Sequence, residues 1–194
     1  MNISEIKEEL KNILTEKRYD HTLGVAYTAA CLAIVYGEDM EKAELAGLLH
    51  DNAKCFSDDK LLKKCKKYNV KISDAEMRMP YLLHAKLGAY YAVEKYGASD
   101  EIAEAVSYHT TGRPDMSMLE KIVYVADYIE PNRNKAKRLH EIRKTAFEDI
   151  DMCVYMIASD TMEYLGTDPE KMDEMTKKTY LYYKKLIEAK KEAK

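Results

Sequence analysis

His50 and Asp51 stand side by side in the stretch Leu48-Leu49-His50-Asp51-Asn52-Ala53-Lys54, at the end of an apolar helical run. An imidazole and a carboxylate so placed can ligate a cation or move a proton, and a lysine follows within one turn. An adjacent His-Asp pair arises often by chance, so its meaning rests on other ligands along the chain. Of the five histidines, four share one kind of setting. His21 falls in the first turn of an expected helix, His50 at the end of one, His84 at the start of one and His109 just past one. Asp127 lies in the last turn of the helix before Pro131. Each of these borders apolar core positions, where an unpaired imidazole or carboxylate is costly. A single histidine on an apolar helix face is ordinarily a hydrogen-bonded core residue. Four of them with two aspartates point instead to helix ends converging on one pocket. His140, in the charged run Lys137-Arg138-Leu139-His140-Glu141, reads as a surface residue.

Imidazole and carboxylate together suit Fe, Mn, Co or Zn better than Mg or Ca, which take all-oxygen shells. Cys31, Cys55, Cys65 and Cys153 are scattered, form no C-x-x-C pair and offer no thiolate site. The H-E-x-x-H, P-loop, G-x-G-x-x-G and G-x-S-x-G patterns are missing. Metal-assisted chemistry is the leading class. Phosphate-contact candidates stand beside the ligands. Lys54, four residues after His50, would lie on the same side of a continuing helical turn. Thr110 and Thr111 follow His109 in a loop with Gly112, where hydroxyls and backbone N–H groups can face an anion. Arg133 stands six residues after Asp127, and its planar fork suits a pair of phosphate oxygens. Each also has a plainer reading: an exposed lysine, turn-forming threonines, a surface ion pair.

The elements that must position these residues follow a helical period almost everywhere. Ile3, Ile6, Leu10, Ile13 and Leu14 trace an amphipathic helix. A second helix is expected from Tyr19 or Asp20 to Gly37, with Asp20 as its cap and Val25, Thr28, Ala29, Leu32 and Val35 facing inward. A third spans about Met40 to His50. Ser57 opens a short helix through Tyr68, whose Lys60, Lys63, Lys64, Lys66 and Lys67 read as a solvated face rather than an anion patch. Asn69 to Pro80 reads as a turn with a partial helix. Helices follow over Leu82 to Tyr96, from Ser99 to about Tyr108, and along Ile122, Val125, Ala126 and Ile129 to Pro131. Two longer helices are expected at about Ile142 to Leu165 and Glu170 to Ala189, broken at Gly166 to Pro169. Neither strand-like alternation nor an internal repeat is present, so the fold class is all-α. One domain is expected over residues 1–194, with a core at about 18–133 and C-terminal helices at about 138–190.

Hydrophobic residues at 46% and charged residues at 34% of 194 positions suit a soluble globular chain with a proper core. A net charge of −3, without a basic stripe, argues against recruitment of nucleic acid or an anionic membrane by a global field. The N-terminus lacks the apolar centre of a signal peptide, and the apolar stretch from Ala26 to Tyr36 is too short to span a bilayer. With four cysteines read as reduced thiols, a cytoplasmic protein is expected.

The order His21, His50-Asp51, His84, His109, Asp127 resembles the HD-domain superfamily of metal-dependent phosphohydrolases. Five strings narrow the resemblance to its YqeK-type branch: Arg18-Tyr19-Asp20-His21-Thr22-Leu23-Gly24-Val25, His50-Asp51-Asn52-Ala53-Lys54, Leu83-His84-Ala85, His109-Thr110-Thr111-Gly112 and Ala126-Asp127-Tyr128-Ile129-Glu130-Pro131-Asn132-Arg133. That branch implies a helical HD bundle with its metal site between helix ends. It also implies symmetrical hydrolysis of dinucleoside tetraphosphates, diadenosine tetraphosphate to two ADP, by metal-activated water. The implied cofactor is iron, as one or two ions, with Mn, Co or Zn as substitutes. On this resemblance His21, His50, Asp51 and Asp127 would hold one metal. His84 and His109 would complete a second position with Asp51 bridging, or touch phosphate directly. The expected catalytic set is Asp51, His84, His109 and Lys54. The expected substrate contacts are His21, Asp51, Lys54, His84, Thr110, Thr111, Asp127 and Arg133. The partner is a small nucleotide or dinucleotide, with no nucleic acid or membrane, and a homodimer is compatible. Two other readings stay open: an HD phosphohydrolase acting on nucleoside mono- or triphosphates or a guanosine alarmone, and a non-catalytic nucleotide or metal sensor.

Overall fold

Short polar side chains start most of the helices by taking up an orphan backbone amide. In the computed structural model, which describes residues 1–166 and 172–192, Asn2 opens α1 (Ile3–Ile13) and Thr15 opens α2 (Glu16–Tyr36). Asp39 opens α3 (Met40–Leu49), and α4 (Asp58–Lys67) follows without a side-chain cap bond. Ser73 starts the short α5 (Asp74–Arg78), and a 3₁₀ turn over Pro80–Leu82 leads directly into α6 (Leu83–Glu94). Ser99 opens α7 (Asp100–Tyr108) and Ser117 opens α8 (Met118–Ile129). The chain then forms α9 (Leu139–Thr145), α10 (Ile150–Leu165), capped by Asp149, and α11 (Glu174–Glu192). The described residues contain no strand, and none of their helices is long and apolar enough to cross a membrane. The all-α class is as expected.

Helix α2 is the centre of the packing, against α3 on one side and α8 on another, while α7 bridges α3, α6 and α8. Val25, Leu32, Leu48, Leu49, Val106, Ile122 and Val125 are fully buried between them. One glycine sets the closest approach. A Cβ on Gly47 would lie 2.7 Å from the Ala26 Cα, so only glycine lets α3 press against the α2 backbone. That contact brings the end of α3, with His50 and Asp51, alongside His21 of α2.

The structure departs from the sequence expectation at three places. Helix α2 begins at Glu16, because the Thr15 hydroxyl accepts from the Arg18 amide; Asp20 is inside the helix and His21 in its second turn. Val35 is half exposed, since the helical period gives the inward positions at this end of α2 to Leu32, Ala33 and Tyr36, whose hydroxyl donates to the Ala146 carbonyl. The helix expected over Ile142 to Leu165 is two helices, separated where Asp149 turns its side chain to cap α10. The final helix is described from Glu174; the expected start at Glu170 and most of the expected break fall in residues 167–171, outside the described residues. The α4 lysines lie on the outer face as expected: Lys60, Lys63, Lys66 and Lys67 are exposed and Lys64 covers the Phe56 ring.

Candidate metal centre

Five helices deliver the six candidate ligands to one place: α2 brings His21, the end of α3 brings His50 and Asp51, the start of α6 brings His84, the end of α7 brings His109, and α8 brings Asp127. The four histidines and Asp51 are buried, and Asp127 is partly so. The imidazole rings meet edge to face, with centroids 5.3 Å apart for His21–His50 and 5.0 Å apart for both His50–His109 and His84–His109.

Backbone geometry fixes the tautomers. Nδ1 of His50 lies 2.7 Å from the Gly47 carbonyl, Nδ1 of His84 2.5 Å from that of Tyr81, and Nδ1 of His109 2.7 Å from that of Val106. A carbonyl can only accept, so each Nδ1 carries the proton, and each Nε2 presents a lone pair. His21 reaches the same state by another route, its Nδ1 lying 3.1 Å from the Glu130 carboxylate. All four Nε2 atoms therefore face inward as bases. His84 Nε2 and His109 Nε2 are 3.2 Å apart. His21 Nε2 and His50 Nε2 are buried with no hydrogen-bond partner. Lone pairs so crowded, beside two carboxylates, fit a cation.

Asp51 divides this set. Its Oδ2 lies 3.3 Å from His50 Nε2 and 4.0 Å from His21 Nε2, while its Oδ1 lies 3.2 Å from His84 Nε2 and 3.7 Å from His109 Nε2. His21, His50 and Asp51 form one group able to hold a metal ion, and Asp51, His84 and His109 form a second. Asp127 Oδ1 stands 3.1 Å from His21 Nε2 at the edge of the first group. Burial opposes ionisation of Asp51, yet the facing imidazoles of His50, His109 and His84 hold its carboxyl well below the usual carboxylate range. Burial also opposes ionisation of Asp127, and the adjoining His21 imidazole and the Arg133 guanidinium hold its pKa down. Desolvation lowers the pKa of His84, which favours the neutral imidazole that a metal ligand must be.

The phosphate-contact candidates divide. Thr110 Oγ1 lies 3.0 Å from His109 Nε2 and 3.4 Å from His84 Nε2, so its hydroxyl faces the centre. Thr111 is turned away: its hydroxyl donates to the Gly112 carbonyl, and its own carbonyl accepts from Thr179 of α11. Lys54 Nζ lies over the His84 ring, 3.2 Å and 3.3 Å from the two nitrogens, and burial lowers its pKa. Arg133 grips Asp127 twice, from Nη2 to Oδ1 at 2.9 Å and from Nε to the backbone carbonyl at 3.1 Å.

Three residues at the centre carry roles the sequence reading did not assign. Arg18 donates to Asp51 Oδ2 at 2.7 Å; it stands three residues before His21, on the same helix face. Arg143 of α9 donates to the carbonyls of Ile129, Glu130 and Arg133, and so holds the turn that follows α8. Glu130 is buried, accepting from His21 through Oε1 and from the Asn132 amide through Oε2 at 2.7 Å. An acid at a helix C-terminus is unfavourable against the dipole, and that signal in Glu130-Pro131 marks a residue with a dedicated partner. Gly24 makes room for it, because a Cβ there would meet Glu130 Oε2 at 2.5 Å. Glu130→Gln is expected to weaken metal binding by about 10- to 100-fold, the usual cost of losing a carboxylate behind a ligating histidine. Metal titration monitored by calorimetry checks it, with an unchanged affinity removing Glu130 from this role.

An all-α bundle that gathers four histidines and two aspartates from helix ends into one cluster has the scaffold of a metal-dependent hydrolase, and the cluster fits a divalent metal ion. The chain belongs to the HD domain family, whose model matches residues 18–132. It is 42% identical to a protein of Halalkalibacterium halodurans named "Bis(5'-nucleosyl)-tetraphosphatase, symmetrical", covering 85% of this chain and 88% of that one. A Bacillus subtilis protein of the same name is 39% identical, over 96% of this chain and 98% of its own. Among solved structures, "predicted HD superfamily hydrolase involved in NAD metabolism" from Clostridium acetobutylicum superposes with a TM-score of 0.89 at 39% identity, covering 96% of this chain and 98% of that one.

Proposed function

We propose that this protein hydrolyses dinucleoside tetraphosphates symmetrically, converting diadenosine tetraphosphate and water to two ADP. The observation that carries the reading is the pair of His/Asp groups sharing Asp51, in a chain 42% identical to a protein named for that activity. In the assignment proposed, His21, His50, Asp51 and Asp127 hold one ion, and His84 and His109 hold a second with Asp51 between. Iron is the metal proposed, since imidazole and carboxylate donors without thiolate suit it, with Mn, Co and Zn as competitors.

A bound divalent ion supplies Lewis acidity, lowering the pKa of water and drawing charge from phosphate oxygens. The chain supplies the rest. Asp51 and Asp127 are ionised and can accept the proton of the attacking water. Thr110 offers a hydroxyl toward the phosphate from the His84–His109 side. Arg18, Lys54 and Arg133 ring the centre with cationic groups that would offset charge on the phosphates and on the departing ADP. Arg133→Ala is expected to lower kcat/KM roughly 10- to 100-fold with metal retained, the scale of a lost charge-assisted hydrogen bond. Unchanged kinetics across nucleotide substrates would remove Arg133 from the phosphate-binding set.

The deciding experiment is anaerobic metal analysis combined with chromatography of the products of diadenosine tetraphosphate. Two ADP per substrate supports the proposal. Inorganic phosphate released from mononucleotides alone, or nucleotide binding without turnover in reducing, metal-replete buffer, would sink it.

A further inference from the structure

Two clefts lie beside the cluster of ligands, one lined by His21 and the other by Thr110. The first cleft, of about 1060 Å³, is lined by His21 and Arg18 at its inner end and runs out past Arg133 to Tyr128 and Tyr164. It therefore reaches the centre from the Asp51 Oδ2 side, where Arg18 and His21 lie. The second, of about 1080 Å³, has Thr110 and Ala85 at its inner end and runs out past Tyr108 to Met175 and Lys178 of α11. Thr110 contacts the Nε2 atoms of His84 and His109, so its side chain stands between this cleft and the Asp51 Oδ1 side of the centre, whose ligands are buried behind it. The C-terminal turn of α10 stands between them, with Thr161 and Tyr164 on the first cleft and Met162 on the second.

From this arrangement we infer that the two clefts are two nucleoside subsites, and that α11 builds the second of them. The inference rests on the activity proposed above and deepens it. A substrate with a nucleoside at each end of a tetraphosphate, cut at its middle, needs a place for each end at similar reach from the reacting phosphorus. The two clefts match in volume, and each combines tyrosine for a base to lie against with a basic side chain for the flanking phosphates, Lys135 in the first and Lys178 in the second, while Lys137 and Lys86 are paired with Glu163 and Glu76. Symmetrical cleavage would follow from a centre that takes one half of the substrate from each cleft. It also gives the C-terminal helices a part in substrate binding.

The test compares diadenosine tetraphosphate with adenosine 5′-tetraphosphate, which has one nucleoside and yields ADP and pyrophosphate when water cuts the same central linkage. The one-ended substrate can place its nucleoside in either cleft. Ser107→Trp, from the α7 wall, and Glu174→Trp, at an exposed position on the facing α11 wall, obstruct the second cleft. Glu163→Trp, at an exposed position, obstructs the first. Obstructing either cleft alone is expected to cut kcat/KM for the two-ended substrate at least about tenfold, the scale of one lost base–aromatic contact. The one-ended substrate should stay within about threefold, with metal content unchanged. The inference is overturned if both second-cleft variants turn over the two-ended substrate normally, or if the two substrates fall in parallel. Failure of the unmodified protein to release ADP from diadenosine tetraphosphate would overturn the proposed activity itself, a result separate from full turnover by the obstructed variants.

Discussion

Asp51→Ala protein is expected to keep its helical spectrum, bind no metal and release no ADP from diadenosine tetraphosphate. The size of the effect comes from the position of the side chain. Its two oxygens face opposite ways, Oδ2 toward His21 and His50 and Oδ1 toward His84 and His109, so one substitution removes a donor from both groups. The histidines cannot rearrange to compensate, because each is tied through Nδ1 to a carbonyl or to Glu130. Arg18 would also lose its carboxylate partner and stay near the cluster as an unbalanced cation. The apolar contacts of α3 are made by Leu48, Leu49 and Ala46, which the substitution leaves in place. Turnover should fall by at least about a thousandfold, as for other groups on which a whole catalytic unit depends. A variant with full metal and full activity would overthrow the site assignment.

Removal of the metal should be nearly as severe for activity, and it should register in stability as well. Anaerobic chelation is expected to abolish hydrolysis, and stoichiometric Fe(II) to restore it. Stripped of the ion, the protein keeps four inward lone pairs and two carboxylates in a buried cluster, with two Nε2 atoms lacking any hydrogen bond. A ligand that binds only the native state adds about 4 kcal/mol when free at a thousand times its Kd. For a chain of this length that is roughly 8–16 °C in Tm. Calorimetric scans with and without metal measure it. Equal Tm values with equal activity would show that the cluster is held by internal hydrogen bonds and has no resident ion.

The sequence made the polar centre easier to read than its supports. His21, His50, His84, His109, Asp51 and Asp127 were recognisable because each is a costly side chain next to an apolar run, and the structure gathers the histidines around Asp51 with Asp127 beside His21. Helix existence was equally legible from period, caps and the glycines at Gly37 and Gly97, both left-handed in the structure. Boundaries were less so. Asp20 and Thr15 are both competent caps, and the choice depends on the residues between them staying helical, as Arg18 and Tyr19 do. Glu130 and Arg143 were illegible as a pair because their meaning is tertiary: one holds His21 across 109 residues, the other ties α9 to the turn after α8. Thr111 was grouped with Thr110 by adjacency alone, whereas consecutive residues of a turn point in different directions, and this one faces α11.

The spread of the ligands along the chain has a consequence for biosynthesis. Asp127 and Glu130 are made more than a hundred residues after His21, yet the first group of ligands in the proposed assignment draws on both. Synthesis proceeds from the N-terminus, so α2 and α3 leave the ribosome with their histidines uncommitted, and no nascent fragment shorter than α8 holds the whole set. On the proposed assignment, loading of an ion would be a late event. Truncated products would lack the complete centre, and the cell's metal supply would be drawn upon by chains already long enough to enclose it.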